Sequence, residues 1–305
     1  MIYTVTLNPS IDYHIWLDAW REGEIQQAKK ERKVAGGKGI NVSKVLGILG
    51  MESRALGFAG GFTGAFIRQE LEQEGIVHQF IQLEQESRIN LKIKAQSETD
   101  ISGVPPHIPP EALAALSRQL DQLTADDVLV LAGSLPPGVP EHFYQSILKR
   151  LGPRGVRVFL DASGKALADS LPERPFLIKP NHHELGELYG VAISTPQEAI
   201  IYGKKAWEAG ARHVIVSMAG QGAVLVSDHG VYTADIPRQA PVNSIGAGDS
   251  VVAGFLYALL QGQEIEEAFR FAIATGSATA LSEGFCTREK IGELIPRITI
   301  TKVEG

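Results

Sequence analysis

Val128-Leu-Val-Leu131 and Val156-Arg-Val-Phe-Leu160 are short apolar runs, and residues 141–151 between them read as a helix. A strand buried on both faces shows as an apolar run rather than an alternation, and two parallel strands need a crossover, commonly a right-handed helix. The stretch 128–160 is therefore read as a βαβ unit. Toward the C-terminus, 176–178 and 213–216 continue the series around a helix over 196–209. Runs 223–226 and 231–234 flank Ser227-Asp-His-Gly230, a hairpin signal. Helices are expected at 248–261, 265–281 and 289–295. Toward the N-terminus, 2–7 and 54–58 read as strands, and 64–73 and 111–123 as helices. Helical spacing also recurs at Ile40, Val45, Ile48 and Leu49. The expectation is an α/β chain with helices on both faces of a mostly parallel sheet. Segments 11–34 and 88–104 are less regular, each with one strand-like run, and are expected to form a small β lid on a single domain spanning 1–305.

The totals narrow the function. A net charge of −6 over 305 residues argues against a general binder of nucleic acid or anionic membrane. No apolar segment approaches the roughly 20 residues of a membrane helix. Cys286 is the sole cysteine, so no intramolecular disulfide and no thiolate zinc cluster are available, which suits a reducing compartment. Residues 1–7 alternate like a strand rather than like a signal peptide, and a cytoplasmic location is expected.

Chemistry concentrates in glycine turns. In Pro241-Val-Asn-Ser-Ile-Gly-Ala-Gly-Asp-Ser-Val-Val-Ala-Gly-Phe255, Gly246 and Gly248 precede apolar residues at helical spacing. The first N–H groups of a helix lack internal partners and carry positive potential, so such an end attracts phosphate. Asp249 lies in that first turn, positioned to take a proton from an attacking hydroxyl while the amides hold the transferred group. A second turn, Gly36-Gly37-Lys38-Gly39-Ile40-Asn41, also leads into a helix, with Lys38 as a cation and Asn41 as donor and acceptor. It lacks the dinucleotide G-x-G-x-x-G spacing. Gly133-Ser134-Leu-Pro-Pro-Gly138 follows a strand, where open α/β sheets place ligands, but Val139-Pro140 replaces the Lys-Ser/Thr of a P-loop. Lys179-Pro-Asn181-His-His-Glu184 follows another strand, and Glu184 suits magnesium held through water. His182 and His183 are adjacent, which disfavours a shared zinc on a helix. Ser217-Met-Ala-Gly220-Gln-Gly222 forms one more glycine loop with room for a nucleotide, and Arg88 opens a strand with a guanidinium suited to phosphate.

Taken in order, Gly36-Gly-Lys-Gly-Ile-Asn41, Gly133-Ser-Leu-Pro136, Lys179-Pro-Asn-x-x-Glu184 and Gly246-Ala-Gly-Asp249 resemble the ribokinase-like (PfkB-type) sugar kinases across essentially the whole chain. The resemblance implies a three-layer α/β/α sandwich with a β lid, ATP and Mg²⁺ as cofactors, and frequent dimerisation through the lid. It implies Asp249 as general base, with Gly246, Ala247 and Gly248 as the anion hole. Asp12, Gly37, Asn41 and Ser134 would hold the sugar, and Lys38 and Arg88 its phosphate. Lys179, Asn181, Ser217, Gly220, Gly222, Gly246 and Gly248 would serve ATP, and Asn181 and Glu184 the metal. Many members carry an acidic residue where this chain has Asn243, which groups it with the phosphosugar branch. Fructose 1-phosphate, phosphorylated at its 6-hydroxyl, is the expected substrate; tagatose 6-phosphate and fructose 6-phosphate are the alternatives within the family. A non-catalytic sugar-phosphate or nucleotide binder is the alternative outside enzymes.

Overall fold

The computed structural model describes residues 1–236 and 239–303. In chain order the elements are β1 (Ile2–Thr6), β2 (Ser10–Trp16), β3 (Lys30–Gly36), α1 (Lys38–Ile48), β4 (Ser53–Gly60), α2 (Gly61–Gln73), β5 (Val77–Leu83), β6 (Arg88–Lys94), β7 (Glu98–Ile101) and α3 (Pro110–Leu120). Then follow β8 (Val128–Ala132), α4 (Phe143–Leu151), β9 (Arg157–Asp161), α5 (Gly164–Ser170), β10 (Leu177–Ile178), α6 (His182–Tyr189), α7 (Pro196–Glu208) and β11 (His213–Ser217). The chain ends with β12 (Ala223–Ser227), β13 (Gly230–Asp235), α8 (Ala247–Leu260), α9 (Ile265–Ala280), α10 (Arg288–Leu294) and β14 (Thr299–Val303).

Ten strands form one sheet in the order β14-β13-β12-β11-β10-β9-β8-β1-β4-β5. It is parallel from β5 to β11 and antiparallel from β11 to β14. The apolar runs behave as two-sided strands. Leu129 and Leu131 of β8 join the core on the face of α3, α4 and α7, while Val128, Val130 and Ala132 join the core with α1, α8 and α9. The three-layer α/β/α class is thus observed. Local chemistry starts the helices where the sequence allows it. Thr195 caps α7, with Pro196 at its first position and Glu198 returning a carboxylate to the Thr195 N–H at 3.0 Å.

Four strands, in the order β3-β2-β6-β7, make a separate small sheet from the segments expected to form a lid. Its base packs Ile11 and Ala35 against Ile40, Ile67 and Leu71 of α1 and α2. Strands β5, β7 and β14 and helix α5 have no counterpart in the sequence reading. Polar residues interrupt β5, and β7 is wholly exposed, so neither carries an apolar signature.

Candidate active site

The C-terminal ends of the parallel strands, the N-termini of α1 and α8 and one face of the small sheet enclose a cavity of about 380 Å³. Nine of the expected site residues line it: Asp12, Gly37, Lys38, Asn41, Arg88, Ser134, Glu184, Gly246 and Asp249. Ala247 and Gly248 continue the first turn of α8.

Each side chain arrives by a local device. Gly246 caps α8 in the left-handed region (φ 76°), open to glycine without strain, and a Cβ there would meet the Phe285 ring at 2.5 Å. Among the described residues no side chain caps this helix, and the N–H groups of Gly248 and Asp249 have no backbone partner. Asp249 is buried, and its Oδ2 accepts a 2.7 Å hydrogen bond from Asn41 Nδ2. Burial and the nearby Asp161 carboxylate push its pKa up to about 6, against the pull of Asn41, Lys38 and Lys179. That value suits a base working near neutrality.

Gly37, at φ 125°, turns the chain into α1, and Thr6 Oγ1 on β1 accepts the Ile40 N–H at 2.9 Å. Lys38 Nζ lies 3.2 Å from Asp161 Oδ1, and Lys179 Nζ lies 3.6 Å from the same oxygen. Burial works against the charge on Lys38, but Asp161, Asp249 and Glu184 outweigh it and hold the ammonium above its ordinary range. Burial likewise opposes the charge on Asp161, and the two lysines overcome it, so this carboxyl ionises below the usual range. Lys179 also abuts α8: a Cβ at Gly248 would sit 3.0 Å from its Nζ.

Toward the small sheet, Asp12 Oδ1 accepts from Ser10 Oγ at 2.8 Å and Asn90 Nδ2 at 2.9 Å. Gly36 makes room for this carboxylate, since a Cβ there would stand 2.5 Å from Oδ2. Arg88 donates weakly to the Asn8 carbonyl (3.4 Å), and burial lowers its pKa. Lys38 and Arg88, expected at one phosphate, thus hang from different anchors, β9 and the β1–β2 turn. Ser134 Oγ accepts from Asn8 Nδ2 at 3.3 Å.

The remaining expected residues, Lys179, Asn181, Ser217, Gly220 and Gly222, are not among those lining the cavity. Asn181 and Glu184 form a capping box on α6: Asn181 Oδ1 accepts the His183 and Glu184 N–H groups, and Glu184 Oε2 accepts the Asn181 N–H at 2.8 Å. Glu184 Oε1 has no protein partner among the described residues, and the residue still reaches the cavity. Ser217 bridges to Asn181, and the loop beyond it turns through Ala219 (φ 49°), Gly220 and Gly222 (φ 89°). Around Gly220 a Cβ would meet nothing within 4 Å, while at Gly222 it would strike the Ala234 carbonyl. Among the described residues no group of three or more His, Cys, Asp or Glu is arranged to hold a metal, and no helix is long and apolar enough to cross a membrane.

Asp161 was absent from the sequence reading. Its signal was available: an acid closing an apolar strand at the ligand end of the sheet. What it meets, two lysines from distant segments, was not.

Comparison with known proteins places these features in a family. The sequence pattern of the pfkB family carbohydrate kinases matches residues 5–291. The chain is 46% identical over 303 residues to 1-phosphofructokinase from Bacillus subtilis, covering 99% of this chain and 100% of that one. It is 40% identical over 305 residues to 1-phosphofructokinase from Borreliella burgdorferi, covering 99% of each. Its fold matches phosphofructokinase-2 from Escherichia coli, in complex with substrates and products, with a TM-score of 0.92 at 27% identity, over 97% of this chain and 98% of that one.

Proposed function

The chain belongs to the pfkB family of carbohydrate kinases, and on that premise we propose that it transfers the γ-phosphoryl of ATP to the 6-hydroxyl of fructose 1-phosphate, forming fructose 1,6-bisphosphate and ADP. The relatives named 1-phosphofructokinase support the substrate. The observation that carries the chemistry is the buried Asp249 within the uncapped first turn of α8, hydrogen-bonded to Asn41.

Asn41 holds one carboxylate oxygen of Asp249, leaving the other to take the hydroxyl proton. The free N–H groups of the same turn, with Gly246, Ala247 and Gly248 as its backbone, receive the phosphoryl oxygens in transfer. Asp12, Gly37, Asn41 and Ser134 hold the sugar, with Arg88 and Lys38 as cations for the phosphate it brings. Lys179, Asn181, Ser217, Gly220 and Gly222 border the nucleotide. Mg²⁺ fits the oxygen donors here: Glu184, aided by Asn181, would hold it through water, and it would neutralise charge on the phosphates. Asp161 holds Lys38 and Lys179 in place and keeps the Lys38 ammonium charged.

The chain acts as one kinase domain whose small sheet is the lid. Trp20, Ile25, Ile101 and Val104 expose large apolar surface within or beside that sheet, which supports a homodimer formed through the lids. A reducing cytoplasm suits the single buried Cys286. The deciding experiment is a coupled ADP-release assay with Mg²⁺-ATP against fructose 1-phosphate, fructose 6-phosphate, tagatose 6-phosphate and fructose. The highest kcat/KM is expected for fructose 1-phosphate. A 6-phosphate sugar ranking first would move the substrate, and no turnover of any would return the chain to a binding role.

A further inference from the structure

We propose that Asn90 is a positioning residue that orients Asp12 toward the sugar, with Ser10 as its assistant. The inference rests on the reading of Asp12 as a sugar ligand. Strands β2 and β6 pair in parallel, with Asp12 opposite Asn90 and Ser10 opposite Arg88, so all four side chains share the face of the small sheet that borders the cavity. The Asn90 amide nitrogen reaches both Asp12 Oδ1, at 2.9 Å, and Ser10 Oγ, at 3.0 Å, and that hydroxyl in turn donates to Oδ1 at 2.8 Å. Two donors therefore converge on one oxygen of the carboxylate. The other, Oδ2, has no protein partner among the described residues and sits over the space that Gly36 leaves. A carboxylate fixed through one oxygen presents the second at a set angle, which is what recognition of a sugar hydroxyl requires.

The same amide has a second duty. Asn90 Oδ1 accepts the Gly103 N–H at 3.1 Å, where the chain leaves the small sheet after β7. One side chain thus ties the sugar-binding carboxylate to the exit of the lid. The two duties are chemically separable, because one uses the donor half of the amide and the other the acceptor half.

Asn90→Asp separates them. It keeps an acceptor for Gly103 and replaces the donor facing Asp12 with a second carboxylate. Two carboxylates at one contact do not both ionise readily, so one pKa of the pair rises, and once the pair shares a proton the donor toward Asp12 is restored. Around the first cavity the charged groups near Asp12 are Arg88 on β6, Lys38 on α1, Glu184 on α6 and Asp249 on α8. Around the second cavity that Asp12 borders are His14 on its own strand, Lys30 and Arg32 on β3, and Lys94 on β6. Lys44 on α1, Glu74 after α2 and Glu283 after α9 complete that wall. All are shared by variant and wild type, so the ratio of the two at each pH isolates the new pair, including from the titration of Asp249.

At pH about 8, Asn90→Asp is expected to lower kcat/KM for fructose 1-phosphate by roughly 10- to 100-fold, the scale of a hydrogen bond to a charged group. The loss should fall on KM for the sugar phosphate, with KM for ATP unchanged, and the ratio to wild type should recover as the pH falls below about 6. Asn90→Ala, lacking both donor and acceptor, should be impaired without that recovery. A variant Asn90→Asp equal to wild type at pH 8, or one whose deficit is constant with pH or falls equally on both substrates, would overturn the inference and leave Asn90 as a lid strut. Asp12→Asn, assayed alongside, tests the premise separately: an unchanged KM for the sugar phosphate there would remove Asp12 as the ligand.

Discussion

Two helices, α1 and α8, pack against each other and bring their N-termini to the same cavity, yet the two ends are finished differently. At α1 the third N–H is taken by Thr6 Oγ1, and the turn carries a cation, Lys38. At α8 no side chain among the described residues caps the end, and the turn carries a buried carboxylate, Asp249. A glycine turn before a helix is therefore not one device. The first end is closed by a neighbouring strand, and the second leaves the N–H groups of Gly248 and Asp249 without a backbone partner among the described residues. Asn41 of α1, bonded to Asp249 of α8, joins the two halves.

The largest test of that division is Asp249→Asn, expected to cut kcat by a factor on the order of 10²–10⁴ with little change in KM for either substrate. A surviving kcat would mean that the carboxylate only compensates the helix end. Next is Lys38→Ala, which should raise KM for the sugar phosphate by roughly 10- to 100-fold, the scale of a charged hydrogen bond, and KM for ATP far less. Equal effects on both would assign Lys38 to the phosphoryl group in transfer, as its contact with Asp161 beside Lys179 would then suggest.

The join between the helices is open to a pH measurement. A base must be deprotonated to act, so kcat/KM should rise with pH through about 6 as Asp249 ionises. The Asn41 hydrogen bond favours the ionised form, and removing it in Asn41→Ala should move this limb to higher pH. A limb that stays put would show that Asn41 does not tune the base. The smallest effect is expected from Thr6→Val, which removes the acceptor for Ile40 N–H and should cost about 1 kcal/mol, the usual cost of a lost helix cap. Thermal unfolding would read this as a Tm drop of about 1–2 °C. Because α8 has no such cap, its end offers no counterpart.

Legibility in the sequence followed the type of signal. Buried strands such as β8 and β9 announce themselves as apolar runs, and glycine turns before helices are visible as spacing. Edge strand β5, with His78, Gln79 and Gln82 among its apolar residues, is not, because its environment rather than its composition makes it a strand. Asn181-x-x-Glu184 carries two meanings at once. The spacing of three is that of a capping box, which the structure contains, and the oxygen donors are those of a metal ligand.

From its sequence alone the chain has determined its layer architecture, the order of its glycine turns and the residue types that suit phosphoryl transfer, because periodicity and backbone freedom are local properties. Only the tertiary structure decided which charges meet. Asp161 between Lys38 and Lys179, Asn41 on Asp249, and Asn90 across to Asp12 each join segments far apart in the chain. The pKa of a buried group depends on those meetings, through burial and the charges around it, and no local pattern records them.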